Sequence, residues 1–111
     1  MNDAVDVLAE KVTRLLAERK YKDLEALTGG VRLKASEIKA AITEYGREIV
    51  PLPENFHVED IIEIDGTKPK KYSIVFPLWT AEEGRSDLSV EMIIIEAPCG
   101  FRAELDNIHV L

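Results

Sequence analysis

The first third of the chain carries its apolar residues at helical spacing. Val5, Leu8, Val12, Leu15 and Leu16 fall on one stripe and predict a helix over 3–19. Asn2 or Asp3 is placed to cap its start, and Arg19 and Lys20 sit where the helix dipole favours cations. Tyr21, Leu24 and Leu27 predict a second, short helix over 21–28, stopped by Gly29-Gly30. Ile38, Ala41, Ile42 and Tyr45 predict a third over 36–45, with Ser36 as N-cap and Gly46 as terminator. Pro51 and Pro53 make 47–57 an extended connection, because proline lacks the N–H that helices and central strands use.

After this connection the period changes from helical to two. Strands are predicted near 58–65, 71–79, 87–96 and 100–110. Turn residues separate them at Asp65 to Pro69, Ala81 to Ser86 and Ala97 to Gly100. Short connections imply hairpins and antiparallel pairing. Tyr72, Ile74, Phe76 and Leu78 share one face, as do Leu88, Val90, Met92 and Ile94, and then Phe101, Ala103 and Leu105. Pairing Ile74 with Met92, and Met92 with Leu105, puts all three sets on one side; a slip of one residue destroys the match. Near Asn107 the apolar phase moves to Ile108 and Val110, which predicts a bulge or bend.

The expected fold class is therefore α+β, with three N-terminal helices packed on one face of a four-stranded antiparallel sheet, in a single domain over 1–111. The opposite sheet face is mixed. Val75, Ile93 and Ile95 lie among charged residues there, so it is either a homodimer interface or an ordinary surface with scattered apolar residues.

Composition narrows the classes of partner. Twenty-one acidic against fourteen basic residues give a net charge of −7. Nucleic acid and anionic membrane surfaces both require a basic face, so neither is an expected partner. A basic protein partner or a small ligand remains, and the charge also serves solubility alone. Cys99 is the only cysteine, which suits a reducing cytoplasm. The N-terminus has no basic and apolar signal-peptide pattern, and no apolar run is long enough to span a bilayer.

The element order, three helices then a curved antiparallel sheet, resembles the cone-shaped, cystatin-like α+β roll of nuclear transport factor 2, the polyketide cyclases and the steroid isomerases. The segments YSIVFPLWTAEEGRSDLSVEM (72–92) and AELDNIHVL (103–111) are similar to a family of small bacterial domains without an established activity. Neither likeness fixes a function.

No phosphate-binding glycine loop, metal-spaced Cys or His cluster or nucleophile elbow is present, so no cofactor and no metal is implied. Asp60 is the one acid–base candidate. If Ile64 pairs with Tyr72, Asp60 falls on the core face, where a carboxylate acquires a raised pKa; the likeness to the cone-shaped enzymes implies the same placement. The loop Glu82–Asp87 offers Arg85 among Glu82, Glu83 and Asp87, with Trp79 as an aromatic anchor; it either docks a partner or anion, or is a hairpin turned by Gly84 with Arg85 paired internally. His57 and His109 are more economically structural, and Asp106 and His109 are misplaced for a shared metal. Cys99, in a turn, has no base nearby and is expected to be inert. The favoured reading is a non-enzymatic interaction module, an inhibitor of a basic partner, with Trp79, Arg85 and Asp87 as binding residues. The alternative is a small-molecule binder or enzyme using Asp60 in a helix–sheet pocket.

Overall fold

The computed structural model describes residues 2–110 except Thr67 and Cys99, and of Asn2 the backbone alone. The turn role expected for Cys99 and the cap expected at Asn2 therefore lie outside what is described. Three helices, α1 (Asn2–Ala17), α2 (Tyr21–Thr28) and α3 (Ala35–Tyr45), precede five strands: β1 (Ile49–Val50), β2 (Asp60–Ile64), β3 (Lys71–Thr80), β4 (Gly84–Ala97) and β5 (Gly100–Val110).

α1 ends two residues earlier than its pattern predicts, because Arg19 turns left-handed at φ 59° and Lys20 N–H closes back on Leu15 O at 2.9 Å. α2 ends at Gly29, whose φ of 76° suits glycine. α3 starts at Ala35 with Lys34 as N-cap, not at Ser36. Two carboxylates explain the shift. Glu25 accepts the Ala35 N–H at 2.6 Å and Glu37 accepts that of Lys34 at 3.2 Å, so the first free donors of the helix are already satisfied.

The sheet is antiparallel and has five strands, not the four expected from the sequence. The additional strand is β1, where Ile49 pairs with Thr80 and Val50 with Trp79. Two residues ahead of Pro51 show no periodicity, so the connection hides it. β1 and β2 both pair with β3, at its opposite ends, and β4 and β5 follow on its other side. Between them, among the described residues, β3 has no strand partner over Phe76–Leu78 on that edge. Pro77 occupies this gap, where a missing N–H costs no ladder bond to β1 or β2.

The predicted register holds across the centre: Ile74 pairs with Met92 and Met92 with Leu105. The phase change also holds, since the β4–β5 register shifts between Glu91 and Met92, with Asp106 the extra residue. A second irregularity lies between Pro77 and Trp79, where Ser86, Asp87 and Leu88 oppose Leu78 alone. Ser86 knits it together: its buried hydroxyl donates to Leu78 O at 2.8 Å and accepts the Leu88 N–H at 3.2 Å.

β2 departs from expectation. Ile64 pairs with Lys71 rather than Tyr72, a slip of one residue that inverts its faces. Ile61 now sits beside Ile74 on the core side, and Asp60 lies beside Val75 on the outer face, exposed. The core-facing position expected for Asp60 is thereby corrected.

The core joins the α1 stripe (Val5, Ala9, Val12, Leu16), Leu24, Ile38 and Ile42 to Ile74, Phe76, Leu78, Val90, Met92 and Leu105, all buried. Two buried threonines within helices, Thr13 and Thr28, return their hydroxyl donors to the carbonyls four residues earlier at 2.8 and 2.9 Å. Among the described residues no helix is long and apolar enough to cross a membrane.

Candidate binding groove

The gap along β3 and the bulge in β4 meet, and an open groove of about 490 Å³ forms there. Phe56, from the connection before β2, packs edge-on to Trp79 with centroids 5.4 Å apart, and to Phe76 at 6.5 Å. Around these rings the groove is lined by Glu59, Asp60, Arg85 and Asp87, together with Pro77 and Ser89. The binding set Trp79, Arg85 and Asp87 and the separate acid–base candidate Asp60 thus line one site. Phe56 and Glu59 are not among the residues the sequence points to; the signal for Phe56 is that it is the one phenylalanine of the proline-rich stretch.

The hairpin loop divides into a structural and a free half. Glu83 accepts hydrogen bonds from the Tyr45 hydroxyl at 2.9 Å and the Thr80 hydroxyl at 2.9 Å, and Glu82 accepts the Glu48 N–H at 3.1 Å. Ala81 N–H donates to Glu48 O at 2.9 Å, and Gly84 completes the turn at φ 73°. Glu82 and Glu83 therefore tie the hairpin to the end of α3. The internal pairing of Arg85 with a loop carboxylate is not found: among the described residues Arg85, Asp87, Glu59 and Asp60 make no ion pair within 4.0 Å.

The back wall of the groove is anchored through His57 and Val58. His57 Nδ1 lies 2.7 Å from Asp6 Oδ2, and Val58 N–H donates to Asp6 Oδ1 at 2.7 Å. Burial pushes the Asp6 carboxyl up, but the His57 hydrogen bond, the Val58 amide and the His57 charge together hold it below the ordinary carboxylate value. His57 is held above the ordinary imidazole value by the hydrogen bond to Asp6 and by its charge. His57 is a tether between the connection and α1.

His109 and Asp106 are separated by the bulge. Asp106 pairs with Arg32 at 3.2 Å, whereas His109 lies 3.6 Å from Glu91 and its buried Nδ1 has no hydrogen-bond partner among the described residues. No group of three or more His, Cys, Asp or Glu is placed to hold a metal among the described residues.

Three helices and a five-stranded antiparallel sheet, with an aromatic groove at the sheet's broken edge, define an α+β protein whose most distinctive site lies on the outer sheet face. The chain belongs to the family described as domain of unknown function DUF7668, which matches residues 13–111 and spans both segments of the expected likeness. No curated protein and no solved structure matches the chain.

Proposed function

We propose that this chain is a protein-interaction module whose groove receives a basic segment of a protein partner. The observation that carries it is an aromatic pair, Phe56 and Trp79, in a groove that also holds three carboxylates without ion-pair partners among the described residues, Glu59, Asp60 and Asp87, against the guanidinium of Arg85. Aromatic faces attract Lys and Arg side chains, and carboxylates at the rim steer them in. The net charge of −7 acts in the same direction over longer range. A module that covers a basic partner's working surface in this way acts as its inhibitor.

The exposed, outward position of Asp60 removes the support for an acid–base group in a helix–sheet cavity. The single core cluster, which runs from Val5 to Ile108, favours one domain. The two sheet irregularities, which bend strands, favour a curved roll of the cone-shaped kind.

Trp79 is the only tryptophan, so its fluorescence reports the groove directly. Titration with a lysine- and arginine-rich peptide is expected to change the intensity and wavelength of its emission to saturation, and a glutamate-rich peptide is not. A Trp79 signal indifferent to the basic peptide would overturn the proposal.

A further inference from the structure

We infer that one occupant of the groove is the basic turn Lys68–Lys71 of a second copy of this chain, in a two-fold dimer packed through the outer sheet faces. This rests on the groove accepting basic side chains and names the partner.

The outer face has an ordered charge pattern. Its residues follow from the register. At one end Ile64, Lys71, Ile95 and Arg102 form a row; next come Ile62, Ser73, Ile93 and Glu104; then Asp60, Val75 and Glu91; and beyond these Pro77 and Ser89 at the groove. The face therefore runs from basic through apolar to acidic along the strands. Lys68 and Lys70 extend the basic end into the turn, both exposed, with Glu96 N–H holding Lys70 O at 2.9 Å. Lys68, Lys70, Lys71 and Arg102 make no ion pair among the described residues.

At the apolar row Ile62, on the edge strand β2, is 62% exposed, a large side chain left bare. Ile95, outside the core cluster, is by contrast only 3% exposed beneath its neighbours Lys71 and Arg102.

A symmetric dimer brings the same patch of both copies together. For two sheets packed face to face, the two-fold axis lies in the plane between them. An axis along the strands would set basic end on basic end. An axis across the strands, over the Ile62–Ser73–Ile93 row, reverses the polarity. Ile62 and Ile93 then meet their own counterparts, and Lys71 falls between Asp60 and Glu91 of the second copy. The turn and the groove match in reach as well. Pro77 lies four residues along β3 from Ser73, about 13 Å to one side of the axis, and Lys71 lies two residues, about 7 Å, to the other, with Lys68–Lys70 continuing beyond it. The basic turn of each copy thus arrives over the groove of the other. Two contacts oppose this arrangement: Glu104 meets Glu104, offset by Arg102 two residues away on the same face, and Arg85 stands in the groove that receives the basic turn.

The test is sedimentation equilibrium of the full chain, at about 20 mM and about 500 mM salt, since screening weakens exposed charge pairs. A dimer at low salt that weakens at high salt is expected. Two charge-reversed variants are then made, Lys68→Glu/Lys70→Glu and Asp60→Lys/Asp87→Lys. Each alone is expected to weaken association about tenfold or more, and their equimolar mixture is expected to dimerise again, because both contacts of the mixed dimer are complementary. Glu104→Gln, a mild change, is expected to tighten the wild-type dimer. A monomeric wild type at low salt, or folded variants whose mixture stays monomeric, would overturn the inference. If the monomer's Trp79 still responds to a basic peptide, only self-docking falls; if Trp79 is also silent, the groove proposal falls with it.

Discussion

Asp6 holds two consecutive residues of the connection to β2 with its two carboxylate oxygens, and the shorter reach in sequence terms spans 51 residues, from Asp6 to His57. His57 is exposed and Asp6 is not, so the two ends of the contact do unequal work. Asp6→Ala leaves the Val58 N–H without its acceptor and is expected to cost about 1–2 kcal/mol in urea unfolding. His57→Gln leaves that amide bond intact and is expected to cost less. Equal losses would place the stabilisation in the ion pair instead.

The same contact predicts a pH window. His57 titrates above its ordinary value of 6.5, so its contribution is fully present below that value and is lost as pH rises through the raised one. Asp6 titrates below its ordinary 3.8, so its contribution is present above that value and is lost as pH falls through the lowered one. The stability difference between wild type and His57→Gln is therefore expected to be greatest between these two ordinary values and to shrink toward alkaline pH. Urea midpoints measured across that range check it; a difference that grows as pH rises would contradict the assignment.

Ser86 sets the bulge that carries Arg85 and Asp87. Ser86→Ala leaves Leu78 O and Leu88 N–H short of a partner in a buried place and is expected to cost about 1–3 kcal/mol. Thermal or urea unfolding measures the loss. The groove should also suffer, so a basic peptide is expected to bind the folded Ser86→Ala protein more weakly than wild type.

Glu83 faces the phenol of Tyr45. Burial pushes that hydroxyl up, and the Glu83 hydrogen bond and charge push it further. In Glu83→Gln the Tyr45 phenol is expected to titrate at lower pH than in wild type. A ring-carbon NMR titration resolves it from the other two tyrosines. An unchanged Tyr45 curve would mean that Glu83 does not face the ring in solution.

Met92 lies at the crossing of the register, between Ile74 and Leu105, and is fully buried. Met92→Ala is expected to destabilise by about 2–5 kcal/mol, which unfolding in urea measures.

That crossing was legible in the sequence because three independent alternations fit one face only. The bulge at Asp106 was legible for the same reason: Leu105 and Ile108 cannot both face the core in an unbroken strand. β2 was not. Ile61, Ile62 and Ile64 give it apolar residues on both faces, so alternation does not select a register, and the turn before Lys71 decides it. Asp60 was misplaced for that reason alone. The groove was half legible. Asp60, Trp79, Arg85 and Asp87 stood out by residue type, but their convergence depends on a gap along β3 and on a two-residue irregularity in β4, neither of which has a local pattern. The roles of Glu82 and Glu83 depend on where α3 ends, which the hairpin sequence does not contain.

The measurement that bears most directly on the groove is calorimetric titration of a lysine- and arginine-rich peptide into three proteins: wild type, a groove-neutralised Glu59→Gln/Asp60→Asn/Asp87→Asn variant, and a control, Glu10→Gln/Glu18→Gln/Glu44→Gln, that removes as much charge away from the groove. Binding by wild type and control, and its loss in the groove variant by about tenfold or more, is the predicted result. Equal weakening in both variants would mean that the peptide reads only the overall charge, and would contradict a groove built around Phe56 and Trp79.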